Sequence, residues 1–323
     1  MNGAPSPSEA GKDRSFSTLD APAFARLFGT TTENILQVCG SLLGTFDFRY
    51  EILLKEEQNQ VVQSVLQKIE SGDLIPSGKD RKGDWERGWQ ENLDAFVAGN
   101  FDLSALAPKY ISKYPVSRLF QQYVRPVEKK FELNFYTVFR HYLFNTYFSP
   151  YKTIFEFGCG SGYNLVIMNR LYPDKKIVGL DWATSSVNIA NTLGQHLHTN
   201  ISGTAFDYFQ PNENLEVPPD SLFITLNSLE QLGAGHTEFL NFILKKKPAL
   251  CINSEPFLEM YDSQNFIDSL AIRYHTARNY LAGYYTALEQ LESEGRIRIL
   301  KRQRIPLGNL FHEGYSFIVW SVV

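Results

Sequence analysis

The run Phe155-Glu156-Phe157-Gly158-Cys159-Gly160-Ser161-Gly162 constrains this chain more than any other stretch, because an acid is followed by glycine at every second position. Lys152 to Phe157 reads as a buried strand, and Leu165 to Leu171 carries apolar residues at helical spacing, so the glycines fall on a strand-to-helix turn. Glycine is needed where the backbone takes positive φ and a ligand approaches main-chain atoms that a Cβ would cover. A dinucleotide-binding turn would read G-x-G-x-x-G, its third glycine packing helix on strand. Here the spacing is G-x-G-x-G, Tyr163 stands in the place of that last glycine, and no pyrophosphate site is evident.

Two more acids repeat the pattern. A second strand, Lys176 to Leu180, ends in Asp181 and Trp182, where a carboxylate can accept both hydroxyls of a ribose. A third, Gly203 to Phe206, ends in Asp207 beside Tyr208, which offers an acceptor for an adenine amino group and aromatic surface for its ring. Acids at three successive strand ends point to S-adenosylmethionine. On Glu156, Gly158, Gly160, Gly162, Asp181 and Asp207 the chain resembles the class I S-adenosylmethionine-dependent methyltransferases over about residues 150 to 323. The resemblance implies that these residues hold the cofactor, with Trp182, Tyr208 and Asn227 beside them. More narrowly, Phe-Glu-Phe-Gly-Cys-Gly, Gly179-Leu180-Asp181-Trp182 and Ser228-Leu229-Glu230-Gln231 are similar to bacterial sugar O-methyltransferases.

At 323 residues there is room for such a domain of about 170 residues and a second of about 100. A net charge of −4, with compact basic runs only at Lys245-Lys246-Lys247 and Lys301-Arg302-Gln303-Arg304, argues against nucleic acid as a partner. Cys39, Cys159 and Cys251 lack metal-ligand spacing, and Cys159 lies in the glycine turn, so a reduced, cytoplasmic setting is expected, with no metal. Residues 1–17 are polar and rich in Ser, Pro and Gly, and are expected to be a disordered tail, neither a secretory signal nor a membrane span.

Residues 18–150 read as a helical cap. Helices are expected within Ala21–Leu43, N-capped at Thr31 or Thr32, then over Tyr50–Glu70 and Phe131–Tyr147, with a linker at Pro76–Gly83. Residues 151–323 read as the catalytic domain: further strands at Ser221–Leu226 and Ala249–Asn253, a helix at Glu238–Lys245, one long helix from Asn265 to Glu294, and a closing pair at Ile297–Lys301 and Tyr315–Val322. The fold class is therefore α/β, a doubly wound seven-stranded Rossmann-like methyltransferase sheet with a helical N-terminal cap, binding ligands at the carboxyl ends of its strands.

Methyl transfer to a hydroxyl asks the protein to position the acceptor, take its proton and exclude water. Candidates on the right edge are Asn227, Glu230, Glu255, Tyr261, His275 and His312. In the long helix Phe266, Leu270, Tyr274, Ala277, Leu281, Tyr284 and Leu288 form one stripe expected to face the sheet, which leaves His275, Arg278 and Asn279 off it. His275 is the first choice for the base and His312 the second, with Glu230 and Glu255 orienting them or binding polyol hydroxyls. Against this, a lone helical histidine is more often structural, and His312 fits a strand-capping role as well. Trp85 and Trp89 share a helix face, which suits core packing better than a stacking lid; Lys109, Tyr110 and Arg118 suit solvated charge better than anion binding. The expected activity is transfer of a methyl group to a hydroxyl of a small polar acceptor, a sugar or secondary metabolite, by a chain that can form a homo-oligomer. The rival readings are N-, carboxyl- or aromatic O-methylation, and a silent cofactor-binding interaction module.

Overall fold

Asp20 and Thr31 each open a helix by accepting a hydrogen bond from a backbone N–H three residues on, at 2.9 Å from Ala23 and 3.2 Å from Asn34. The computed structural model describes residues 15–323; the expected tail lies outside them except for its last residues, of which Ser17 joins a strand. In the cap, β1 (Ser17–Thr18), α1 (Ala21–Phe28), α2 (Thr32–Leu43), β2 (Arg49–Ile52), α3 (Lys55–Glu70), α4 (Lys82–Ala98), β3 (Ser117–Leu119), β4 (Gln122–Pro126) and α5 (Phe131–Tyr147) follow in order. The helices are joined by a small antiparallel sheet, β1-β2-β4-β3-β11, that the sequence pattern does not announce. Its strands are two to five residues long, too short for a period-2 pattern to register. Its last member, β11 (Leu307–Gly308), comes from the far end of the chain and pairs with β3.

The rest of the chain runs β5 (Thr153–Phe157), α6 (Tyr163–Leu171), β6 (Lys176–Asp181), α7 (Thr184–Leu197), β7 (Ile201–Ala205), β8 (Ser221–Leu226), α8 (Thr237–Lys246), β9 (Leu250–Ser254), α9 (Phe266–Arg278), α10 (Tyr284–Ser293), β10 (Ile297–Gln303), β11 and β12 (Phe317–Val322). The sheet order is β10-β12-β9-β8-β5-β6-β7, parallel except for β12, which opposes both neighbours. This is the expected doubly wound arrangement. Every residue of β5, β8 and β9 is buried, as central parallel strands under helices on both faces require. The order steps outward from β5 in both directions, so the chain reverses beside it and opens a crevice at the carboxyl ends of β5 and β8.

The expected long helix is two helices. Asn279 takes a left-handed conformation (φ 50°) that ends α9, and Gly283 (φ 80°) starts α10. Of the expected stripe Leu270, Leu281, Tyr284 and Leu288 are buried but Phe266 is 59% exposed, whereas Asp268 and His275, off the stripe, are fully buried. The inner face of α9 is polar because it meets charge from the cap. Arg118 of β3 donates to Asp268 at 3.0 Å; Arg304 donates to Asp268 at 2.7 Å and to Glu313 at 2.8 Å. Arg118, expected to be solvated, is fully buried in this quartet. Two positive and two negative groups balance there, so removing one partner leaves an uncompensated buried charge.

Candidate active site

At the crevice the glycine turn does what its composition implies. Gly158 and Gly160 have φ of 70° and 51°; a Cβ on Gly158 would strike the Ser228 side chain, and one on Gly160 would lie 2.8 Å from the Trp89 indole. Gly162 is also left-handed, but its tight neighbour is Leu193, so it packs α6 rather than facing the cavity. The turn is tied to β6 by Gly158 and Cys159 N–H donating to the Leu180 carbonyl at 2.7 and 3.1 Å. Asp181 completes the tie: its two oxygens accept Gly160 N–H and Ala183 N–H, each at 2.9 Å. Burial still raises its carboxyl to about 6, against the pull of these bonds.

This turn forms one wall of a cavity of about 580 Å³, a size that accommodates a small molecule. Trp182, Phe206, Tyr208, Asn227 and Ser228 continue the wall, and Tyr208 and Ser228 share a hydroxyl hydrogen bond of 2.7 Å. Asn227 is held at φ 56°, uncommon outside glycine, and its Oδ1 is buried without a partner among the described residues. Besides Gly162, two expected cofactor residues stand back from the wall. Glu156 is fully buried behind Asn164, from which Oε1 accepts at 2.6 Å; Oε2 has no partner among the described residues, and burial pushes the carboxyl up to about 8. Asp207 accepts Phe209 N–H at 2.9 Å in a local turn and leaves the cavity to Phe206 and Tyr208.

The opposite wall assembles the catalytic candidates unequally. His312 lines the cavity, with its backbone N–H held by Asn309 Oδ1 at 3.2 Å. His275 does not: it lies fully buried behind His312, with its Nε2 3.1 Å from His312 Nδ1. Burial, then the Arg118 charge, holds His275 down at about 3; burial, then His275, Arg118 and Arg278, holds His312 well below the usual imidazole range. The pair is therefore neutral at neutral pH. His275 is thus buried out of reach of the cavity, and of the two histidines it is His312 that reaches it.

Glu230 lines the cavity and is raised to about 7 by burial, partly offset by Gln231 and Arg278. Glu255 does not line it. Its fully buried carboxyl brackets the loop after β8, accepting Ser228 N–H at 3.1 Å and Glu230 N–H at 3.3 Å, and burial with nearby Glu230 raises it to about 8. Its place is positional. Tyr261 is likewise behind the wall, donating to the Glu313 carbonyl at 3.4 Å and accepting Glu313 N–H at 2.9 Å.

The cap contributes residues that the sequence reading set aside as packing. Trp85 and Trp89 stack with centroids 5.5 Å apart and both line the cavity, where Trp85 Nε1 is buried without a partner among the described residues. Glu86, on the same helix, accepts Thr184 and Ser185 N–H at 2.6 and 2.9 Å and so caps α7. Ser161 of the glycine turn donates to the Leu106 carbonyl at 2.7 Å. Lys109 is exposed beside Glu91, while Tyr110 lines the cavity. The Trp-x-x-x-Trp spacing was the available signal for this wall; nothing in the sequence marked Glu86 or Ser161.

The sequence matches no protein-family model, and no curated protein matches it. Solved structures that it resembles include human N-acetylserotonin methyltransferase in complex with SAM (17% identity, TM-score 0.41), covering 59% of this chain and 55% of that one. The chain thus spans little more than half the length of that enzyme. The cyclase SpnF matches at 11% identity and TM-score 0.49, covering 77% of this chain and 97% of its own. A geranyl diphosphate C-methyltransferase from Streptomyces coelicolor matches at 12% and 0.44, covering 73% and 98%. With likeness this distant, the functional reading rests on the site's own side chains. Among the described residues no helix is long and apolar enough to cross a membrane.

Proposed function

We propose that this chain is an S-adenosylmethionine-dependent methyltransferase acting on a hydroxyl of a small polar acceptor, with a sugar as the leading acceptor class. The observation that carries the reading is one cavity lined both by a glycine turn braced by Asp181 and by His312, which is tied to His275 behind it. The residues fit the cofactor. Gly158 and Gly160 clear the turn, Asp181 retains lone pairs for ribose hydroxyls, Phe206 and Tyr208 offer ring surface, and Asn227 Oδ1 lacks a partner. S-adenosylmethionine would supply an electrophilic methyl group on a sulfonium.

The chain's own work is then proton handling and positioning. His312 Nδ1 is engaged by His275, which leaves Nε2 as the ring nitrogen for an acceptor hydroxyl. For Nε2 to hold a free lone pair, Nδ1 must carry the proton and donate to His275 Nε2, so His275 acts as the acceptor that holds the reactive tautomer when its own proton is on Nδ1. The hydroxyl proton passes to His312 Nε2 as its oxygen becomes nucleophilic. Trp85, Trp89 and the tyrosines of the cap cover the site from water. A second reading makes Glu230 the base, favoured by its place in the wall and a carboxyl raised to about 7.

The test is calorimetry with S-adenosylhomocysteine, followed by methyl-transfer assays over a panel of sugars and phenols in the His312→Ala and Glu230→Gln variants. The reading expects cofactor binding in both and loss of turnover in the histidine variant. Failure of the intact protein to bind S-adenosylhomocysteine overturns it.

A further inference from the structure

Two arginines line the cavity, Arg81 and Arg278; Arg81, whose Nε like that of Arg118 lacks a hydrogen bond, still pairs with Asp84, and only Arg278 combines such an Nε with no ion pair among the described residues. Arg118 and Arg304 are paired with Asp268 and Glu313. Arg140 donates to Asn164 Oδ1 at 2.9 Å, to the Tyr136 carbonyl at 3.2 Å and to Thr137 Oγ1 at 3.1 Å. Arg278 lines the cavity and donates to the Tyr280 hydroxyl at 3.0 Å, with its guanidinium 4.9 Å from that ring's centre. Its Nε is buried with no hydrogen-bond partner, and it forms no ion pair among the described residues. A guanidinium has five N–H donors in a planar fork, and burying them unmatched is unfavourable unless a ligand completes the set.

The arginine is also held still. Its carbonyl accepts Ser77 N–H at 2.7 Å, and Asn279, next along, returns a side-chain hydrogen bond to the Ser77 carbonyl at 3.1 Å. Glu230 is near enough to interact but is not paired with it; one oxygen of Glu230 accepts from Gln231 at 2.9 Å. His312, Tyr274 and Tyr280 line the same cavity, with the His312 ring against both tyrosines.

We propose that Arg278 receives an acidic group carried by the acceptor, a carboxylate or a phosphate ester, and so sets the acceptor's hydroxyl toward His312. The inference rests on the methyl-acceptor reading of the cavity and narrows it to anionic acceptors. Fork-to-fork pairing gives geometric selectivity that a lysine would not. The bound anion would also offset the Arg278 charge that weakens His312 as a base.

The test measures binding of glucose, glucuronate and glucose 1-phosphate to the protein by ligand-observed NMR at neutral pH, with and without saturating S-adenosylhomocysteine. One or both acids should bind at least about tenfold more tightly than glucose, as charge-assisted pairing implies. The stronger acid tells carboxylate from phosphate. Arg278→Gln should erase the preference while S-adenosylhomocysteine affinity stays within about twofold, and Arg278→Lys should keep a reduced preference. Equal binding of glucose and the acids by the intact protein, no binding of either acid at millimolar concentration, or an unchanged preference in Arg278→Gln overturns the proposal. Weakened cofactor affinity in Arg278→Gln with the preference intact also overturns it, and gives the arginine to the cofactor's own carboxylate. Absence of S-adenosylhomocysteine binding in the intact protein would instead sink the methyltransferase reading, and the contrast among the three sugars stays readable without it.

Discussion

The two walls of the cavity are built by different means. The glycine wall comes from short consecutive segments at the ends of β5, β6 and β8, and backbone hydrogen bonds hold it: Gly158, Cys159, Gly160 and Ala183 all give their N–H groups to Leu180 or Asp181. The histidine wall comes from α9, the β11–β12 connection and the cap, and side chains hold it: the His275–His312 contact and, behind it, the Arg118–Asp268–Arg304–Glu313 quartet. A wall made of backbone tolerates most side-chain change except at its glycines and its one acid. A wall made of side chains fails at many points.

The largest effect that would break this contrast is on cofactor binding. Gly160→Arg puts a long side chain at φ 51° against Trp89, and S-adenosylhomocysteine affinity should fall by about 10²-fold or more by calorimetry; near-normal affinity would mean that the turn is not the binding wall. On the other wall, His312→Ala should lower turnover by roughly 10²- to 10⁴-fold while leaving cofactor affinity in place. Because His275 stays neutral, the variant His275→Ala should bring no new pH limb near neutrality, only a smaller loss from a freed tautomer. Arg118→Ala should destabilise the fold by about 3 to 5 kcal/mol in denaturant titrations, since Asp268 keeps a buried charge. Asp181→Ala, on the backbone wall, should weaken the cofactor by about 1 to 3 kcal/mol. A loss from Asp181→Ala as deep as that from Gly160→Arg would show that the backbone wall depends on a single side chain after all.

A separate expected effect concerns pH. Glu156 is raised to about 8 in the folded chain and sits near 4.3 when unfolded, so the folded state binds its proton more tightly. Stability from this group is complete below about pH 4 and is lost as pH rises through about 8, on the order of a few kcal/mol in all. The melting temperature of the ligand-free protein should therefore drop between pH 6 and 9, and Glu156→Gln should flatten the slope.

The same division decides what could be read from the sequence. The glycine wall was legible because its parts lie within single strand-turn units: Glu156 to Gly162, Asp181, and Phe206 to Tyr208 each sit where a strand must end. Even so, the direction of Asp207 was not, since a carboxylate two residues before a free N–H turns inward to it. The histidine wall required knowing that α9 ends at Asn279 and turns a polar face inward, and no apolar period reports a face whose burial is supported by partners from residues 118 and 304. The core topology was readable from strand and helix order, whereas the cap's sheet depended on pairings between segments of two to five residues far apart in the chain.

The β3–β11 pairing sets a schedule for synthesis. The strand that carries Arg118 pairs with β4 at once but finds its second neighbour only when residues 307 and 308 exist, nearly two hundred positions later. Until then one edge of β3 is open, and its arginine gains its counter-charge only once Asp268 is made, a state that invites pairing with other chains. The small sheet therefore cannot close on a ribosome before residues 307 and 308 are made, although its other four strands are translated first, and β12 then fills the gap between β9 and β10 in the large sheet.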